Sequence, residues 1–205
     1  PYDTPETAAT NVHEAAKAAN LAAAALGKRV TLHVASGDYS LYDQLTLDQA
    51  VAVRGAGPTA TRFIGASILS RGVLVLSSEA ELGGVAVKAT WASGASTSRT
   101  LMSQNGIGIL MAAAGTITNC LVYECSGGGQ NWIGNGGGIS ATAGLVVDTT
   151  VCGNTCGANG TAVYLAGSAL MDRCIITNNA SGAQYSSGPG VGVNLSGSAT
   201  FRNSL

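Results

Sequence analysis

The chain has 205 residues, of which 10 are basic and 11 acidic, so its net charge is -1. Hydrophobic residues make up 46% of the sequence, which excludes a chain disordered through low hydrophobicity. Charged residues make up only 10%, against ~25% in ordinary soluble domains, and they form no basic stripe of the kind that binds nucleic acid. The apolar runs at 21–26 and 109–114 are far shorter than the roughly 20 residues that cross a bilayer.

The first element in chain order is a predicted amphipathic helix over residues 10–26. Apolar and small residues recur there at helical spacing, with Thr10 as the expected N-cap and Gly27 as the expected C-cap. Short alternating segments then predict strands at 29–34, 45–47, 51–53, 73–76 and 80–87, with a turn at 35–38. Residues 1–28 are therefore assigned to an N-terminal capping segment and residues 29–205 to one continuous domain.

The second half of the chain contains an internal repeat. Four segments that align without gaps begin at Gly106, Gly136, Gly160 and Gly190, so the repeat is 24 to 30 residues long. Each segment is Gly-rich, β-branched and alternating, which favours strands over helices. A unit this short cannot bury its own apolar face, so the units are expected to stack.

The alignment places similar side chains in columns. Two columns are predicted to point inward, one formed by Ile109, Ile139, Val163 and Val193 and the other by Met111, Ala141, Leu165 and Leu195. The residues between them are predicted to point outward: Leu110, Ser140, Tyr164 and Asn194. Further columns are an apolar one (Val122, Val151 and Ile176), a column of small residues (Cys120, Thr149, Cys174 and Ser204), and an expected asparagine ladder (Asn154 and Asn179).

These columns predict an all-β fold, a right-handed parallel β-helix solenoid with an N-terminal capping α-helix. Residues 10–65 resemble the cap and first rungs of the pectin-lyase-like superfamily, through the helix, the strand 30–34, Gly37-Asp38-Tyr39 and the turn 55–57. Residues 106–205 resemble the rungs of polymorphic outer membrane proteins and other surface β-helix proteins, through Gly137-Gly138-Ile139 and the segments 151–154 and 176–179.

The resemblance implies an extracellular or cell-surface protein. We expect a structural or adhesive β-helix without catalysis, and the alternative is a polysaccharide lyase or glycoside hydrolase of the same superfamily. The chain contains none of the paired-Asp, Gly-His-Gly or Arg-x-Lys motifs that mark the hydrolase branch. No metal site or cofactor is expected, except calcium under the lyase alternative.

Four aromatic residues are candidate ligand contacts, because aromatic faces stack on sugar rings: Trp91, Trp132, Tyr123 and Tyr164. The other interpretation is that each Trp only pins its loop onto the helix wall. The expected partner is a polysaccharide or another surface protein.

Acidic and basic residues also share columns in the repeat, Asp148 with Arg173 and Asp172 with Arg202, beside Glu124. They indicate either a carboxylate–arginine groove or, as we favour, ion pairs between neighbouring rungs.

The remaining chemistry-bearing residues are histidines and cysteines. His13 on the helix and His33, expected to point inward from a strand, are both predicted to be structural. Cys120 and Cys174 lie two rungs apart, too far to bridge, whereas pairing of Cys125 with Cys152 or Cys156 stays open. Residues 200–205 end within a rung, so we expect further rungs or another chain to cover that edge.

Overall fold

A computed structural model describes residues 11–66, 73–90, 107–126, 135–156, 162–181 and 192–205. Within these ranges it contains one helix, α1 (Val12–Leu26), followed by short strands. The strands are β1 (Val30–Val34), β2 (Gly37–Leu41), β3 (Leu45–Leu47), β4 (Val51–Gly55), β5 (Thr61–Ala66), β6 (Leu74–Leu76), β7 (Glu81–Gly83), β8 (Ala86–Thr90), β9 (Ile109–Met111), β10 (Thr116–Thr118), β11 (Leu121–Tyr123), β12 (Ile139–Ala141), β13 (Leu145–Val147), β14 (Thr150–Cys152), β15 (Thr155–Cys156), β16 (Val163–Leu165), β17 (Leu170–Asp172), β18 (Ile175–Thr177), β19 (Ala180–Ser181), β20 (Val193–Leu195) and β21 (Thr200–Arg202).

The helix closes one end of the strand stack. Its N-cap is Asn11, whose side chain accepts a hydrogen bond from the backbone N–H of His13, so the prediction of Thr10 as the cap is wrong. Gly27 ends the helix in the left-handed conformation, as expected. The buried face is built largely of alanines, and it packs against β1 and β3. The small side chains let the helix lie close to the first strands.

Every strand pairing in the described ranges is parallel, and three sheets form the walls of the solenoid. Sheet 1 has the order β1-β4-β7-β10-β13-β17-β21, sheet 2 the order β18-β14-β11-β8-β5-β2, and sheet 3 the order β20-β16-β12-β9-β6-β3. A short outer pair joins β15 to β19. Neighbours in each sheet are one rung apart in the chain, so the backbone winds around a common axis and the prediction of a parallel β-helix is confirmed.

The register of sheet 3 matches the repeat alignment residue by residue. Ile109 pairs with Ile139, Ile139 with Val163, and Val163 with Val193. The first three of these residues are completely buried, whereas Val193 on the last rung is half-buried. The same holds in sheet 2, where the inward column of Val122, Val151 and Ile176 is paired as expected.

One expected orientation is wrong, and one outward position is covered by other parts of the chain. His33 is exposed, because its neighbours Leu32 and Val34 take the inward positions of β1. Ser140 is buried although it alternates with inward residues. The backbone at Gly136 passes so close to the Ile139 carbonyl that a Cβ there would collide with it, so the chain covers the outer side of β12.

Strand boundaries differ from the prediction in the first rungs. The predicted turn at 35–38 overlaps strand β2, and β5 has no counterpart among the predicted strands. Both strands carry polar outward residues and pair with each other over five positions. The predicted strand 80–87 is two strands, β7 and β8, separated by Gly84 at φ 67°.

The corner between sheets 1 and 2 repeats one backbone conformation on successive rungs. Residues with positive φ stack there: Gly84, Asn119, Asp148, Arg173 and Asn203, with φ between 49° and 67°. On the later rungs each is followed by a small side chain of the predicted column that runs from Cys120 to Ser204. A residue in the left-handed backbone conformation, followed by a small side chain, therefore turns the chain in the same way on each of these rungs.

Substitutions at Asn119 test this corner, because its side chain is exposed and its φ is 49°. A β-branched residue there is strained, so Asn119→Val is expected to lower the free energy of unfolding by about 1–2 kcal/mol. Asn119→Gly is the matched control and should equal or exceed the wild type. Urea unfolding measures both, and equal stability of the two variants would contradict the assignment.

Candidate ligand-contact surface

The structure separates the aromatic residues that the sequence singles out. Tyr123 lies on β11 in sheet 2 and Tyr164 on β16 in sheet 3, and both side chains are half-buried. Trp91 and Trp132 lie outside the described residues. The two tyrosines therefore stand on different walls of the solenoid and do not form one aromatic strip.

The outer side of sheet 2 gathers polar groups around Tyr123. The Lys88 ammonium lies 5.7 Å from the centre of the Tyr123 ring, a distance typical of a cation–π contact. The same ammonium forms an ion pair with Glu124, the residue after Tyr123. On the next rung Tyr123 pairs with Cys152. We call Arg62, Lys88, Tyr123 and Glu124 the tyrosine face.

A second ion pair borders the tyrosine face. Arg62 on β5 makes two hydrogen bonds to Asp38 on β2, of 2.5 and 2.7 Å. The pKa of Arg62 is raised, mainly by its hydrogen bond to Asp38 and to a smaller extent by Tyr123. Tyr123 therefore lies beside two cations on the preceding rungs, each of which is paired with a carboxylate.

The electrostatics of the tyrosine face favour binding over acid–base catalysis. The hydrogen bond that the Lys88 ammonium donates to Glu124 raises the pKa of Lys88, so the ammonium stays protonated and cannot serve as a base near neutral pH. The positive and negative charges balance, and the ring supplies an apolar area among hydrogen-bonding groups. Such a surface suits a hydroxyl-rich, uncharged ligand.

The carboxylates and arginines of the repeat form ion pairs between rungs. Arg173 makes two hydrogen bonds to Asp148 on the preceding rung, of 2.8 and 3.0 Å, and one of 3.1 Å to Asp172. Asp172 also accepts a 2.8 Å hydrogen bond from Asn203 on the next rung. Its other partner there is Arg202, at 3.5 Å. The charged side chains therefore link three successive rungs.

These contacts lower the pKa of both carboxyls. The hydrogen bond from Arg173 is the main cause of the lowered pKa of Asp148. The hydrogen bond from Asn203 is the main cause of the lowered pKa of Asp172. Because the folded-state pKa values lie below the ordinary value, the pairs stabilise the fold at neutral pH. That stabilisation is lost as the pH falls through the ordinary value towards the lowered ones.

A similar network on the first rungs was not predicted from the sequence. Glu81 on β7 pairs with Arg54 on β4 and, at 2.7 Å, with Arg29 just before β1. The register explains the contact, since Glu81 stands opposite Ala52, two positions from Arg54. Only an alignment of the first three rungs could have predicted this ion-pair network. Such an alignment was not possible, because those rungs lack the repeat's glycine motif.

The asparagines stack at the second corner. The Asn154 amide donates hydrogen bonds of 2.9 Å to Asn179 Oδ1 and 3.1 Å to the Val122 carbonyl. Its own oxygen accepts the backbone N–H of Cys125 at 2.9 Å. Asn154 is completely buried, and these bonds engage both N–H donors and the oxygen of its side-chain amide. Asn154 thus ties three rungs together.

The cysteines whose side chains are described are free thiols: Cys120, Cys125, Cys152 and Cys174. The pairing of Cys125 with Cys152 that the sequence left open is therefore not formed. Burial raises the pKa of Cys120 to about 11 and that of Cys125 to about 12, so both stay protonated and unreactive.

His13 packs its ring against Tyr42, with the ring centres 4.2 Å apart, and burial lowers its pKa. Among the residues that the structure describes, no group of His, Cys, Asp and Glu is arranged to hold a metal ion. Nor is any helix in those ranges long and apolar enough to span a membrane.

Comparison with known proteins locates the fold. No protein-family model and no curated protein matches the chain. A solved structure of a pectin methylesterase from Aspergillus niger, in deglycosylated form, matches with a TM-score of 0.56 and 16% identity, over 96% of this chain and 65% of that one. ORF18 of Geobacillus virus E2 matches with a TM-score of 0.51 and 15% identity, over 87% of this chain and 34% of the other.

The likeness at these identities shows the fold alone. This chain is a right-handed parallel β-helix with a helix at its N-terminal end. It spans 65% of the length of the pectin methylesterase and about a third of the viral protein. The relation to polymorphic outer membrane proteins stays a prediction.

Removal of the Asn154 amide tests the ladder. Asn154→Ala leaves the Cys125 N–H without its acceptor in a buried position, which is expected to cost about 1–3 kcal/mol of unfolding free energy. Thr177→Ala, an exposed position one rung further on, is the control and should change stability little. Chemical denaturation measures both, and an Asn154→Ala protein as stable as the control would refute the structural role.

Proposed function

We propose that this chain is a secreted or cell-surface β-helix with a structural or adhesive role and no catalytic activity, and that the tyrosine face contacts its ligand. The observation that carries the proposal is the Tyr123 ring, which has the Lys88 ammonium over it and two ion pairs beside it, Lys88 with Glu124 and Arg62 with Asp38. The proposed ligand is an uncharged polysaccharide or a sugar-bearing surface protein.

The pairing of carboxylates with arginines along the wall supports a non-catalytic role. A polysaccharide lyase or hydrolase needs carboxylates that are free to bind calcium or move a proton. In the repeat, Asp148 and Asp172 are instead engaged by arginines on neighbouring rungs. These pairs stabilise the stacking of rungs, which is what a scaffold requires.

The composition supports a position outside the cell. The outer surface is covered largely by small and uncharged polar residues, since only 10% of the sequence is charged. A weakly charged surface of this kind is common on exported proteins.

Binding to immobilised polysaccharides tests the proposal. The probes are uncharged cellulose and galactan, and acidic polygalacturonate with and without calcium. We expect retention on an uncharged glycan and a loss of about tenfold in affinity for Tyr123→Ala, because the stacking area is removed. Tyr164→Ala, the same change on sheet 3, is the matched control and should bind as the wild type does.

An activity assay on the same protein and polysaccharide samples distinguishes the proposed binding role from the enzymatic alternative. Release of unsaturated or reducing ends from polygalacturonate, above that of a heat-denatured sample, would overturn the non-catalytic assignment. Equal loss of retention for Tyr123→Ala and Tyr164→Ala would instead remove the tyrosine face as the contact.

A further inference from the structure

The ring of His13 contains a buried polar atom without a partner. Its Nε2 nitrogen is buried, and no residue of the described ranges forms a hydrogen bond to it. The ring as a whole is half-buried, and it belongs to the second residue of α1. Buried polar atoms are normally paired, so this nitrogen is a cost that the folded chain carries.

The same ring joins the N-terminal end of α1 to the turn after β2. It packs against the ring of Tyr42, with the ring centres 4.2 Å apart and the ring planes inclined by 45°. The N-cap residue Asn11 donates a 3.3 Å hydrogen bond to the Tyr42 hydroxyl and accepts one from the backbone N–H of His13. Tyr42 is nevertheless 64% exposed. We call the pairing of the His13 and Tyr42 rings the cap contact.

The position of His13 in the helix favours the neutral form of its ring. A protonated ring carries an N–H at Nε2, which lies away from water and has no acceptor among the described residues. The first turn of a helix is also unfavourable for a cation, because the helix dipole is positive at its N-terminal end. Lys17 lies one turn further along α1, and its like charge opposes a second cation there.

Burial is the main influence on the pKa of His13 and lowers it from the ordinary value. The carboxylates of Asp43 and Glu14 act in the opposite direction, because they attract a protonated ring. The other charged groups of the groove between α1 and β3 are Lys17 and Asp48. The loss of hydration outweighs the attraction of the two carboxylates, so the neutral ring is favoured in the folded chain.

We propose that the cap contact is acid-sensitive, so that protonation of His13 separates its ring from Tyr42 and loosens the N-terminal end of α1. The remaining buried face of the helix is built of valine and alanines, which do not titrate, so it stays packed on the first strands. The stabilising effect of the neutral ring is complete above the ordinary pKa of histidine. It decreases as the pH falls through that value and is lost below the lowered pKa of His13.

The carboxyl groups of the rungs titrate at a lower pH than the cap contact. The ordinary pKa of an aspartate lies well below that of histidine, and the pKa values of Asp148 and Asp172 are lowered further. The range from about pH 8 to about pH 4.5 therefore opens the cap contact while the ion pairs between rungs remain formed.

Nuclear magnetic resonance of the full chain over this pH range tests the proposal. The chain has two histidines, so His33→Gln leaves only the ring signals of His13. We expect these signals to titrate below the ordinary histidine value, and the nuclear Overhauser effects between the His13 and Tyr42 rings to be lost with the same midpoint. A midpoint at or above the ordinary value would show that Tyr42 and the carboxylates attract the protonated ring more than burial opposes it, and would overturn the proposal. A ring that stays neutral down to about pH 4.5, or a protonated ring still in contact with Tyr42, would also overturn it.

Hydrogen exchange of the Ala15 amide separates the charge of His13 from other effects of acid. This amide donates a 3.1 Å hydrogen bond to the Asn11 carbonyl in the first turn of α1. After correction for intrinsic exchange, its opening should be about two- to fivefold more frequent at low pH, the factor that an unfavourable charge at a helix N-terminus produces. His33→Gln is the matched control and should keep this increase, whereas His13→Gln should lose it. An equal increase in His13→Gln would contradict the role of His13.

Discussion

Parallel hydrogen bonding between successive rungs is the interaction on which every other feature of this molecule depends. Rungs about 4.8 Å apart place equivalent residues directly over one another. Each inward apolar side chain therefore contacts the equivalent apolar side chains of the rungs on either side. Ile109, Ile139 and Val163 show the result, since all three are completely buried although each belongs to a strand of only three residues. No rung could bury these side chains alone.

The same stacking determines how polar groups are used. On the wall, a carboxylate on one rung meets an arginine on the next, as Asp148 and Arg173 do. In the corners, the Asn154 side chain donates a hydrogen bond to Asn179 on the next rung. The polar side chains of the repeat therefore mainly form hydrogen bonds and ion pairs between rungs. Tyr123 differs from them, because it is an aromatic side chain that lies among charged groups on the wall.

The sequence predicted the parts of the fold that repeat. The register of β9, β12, β16 and β20 in sheet 3 was predicted to the residue, because the columns of Ile139 and its equivalents keep a period of two and align without gaps. The prediction was wrong where the pattern is weak. His33 was predicted to point inward but is exposed. Ser140 keeps the predicted alternation but is buried, because the surrounding chain covers the outer side of its strand.

The candidate site was predictable only in part. Tyr123 was singled out as outward-facing, but its neighbours Arg62 and Lys88 come from earlier rungs, whose register cannot be read without the repeat motif. The N-cap was missed by one residue, because Thr10 and Asn11 are both good caps and local sequence does not choose between them.

A double-mutant cycle on Ile139 and Val163 tests the stacking most directly. The free energies of unfolding of Ile139→Ala, Val163→Ala and the double variant should give a coupling of about 0.5–3 kcal/mol, because the side chains are in contact on adjacent rungs. Ile139→Ala combined with Leu45→Ala, three rungs away in the same sheet, should be additive within about 0.5 kcal/mol. Additivity of the Ile139 and Val163 substitutions would contradict the account.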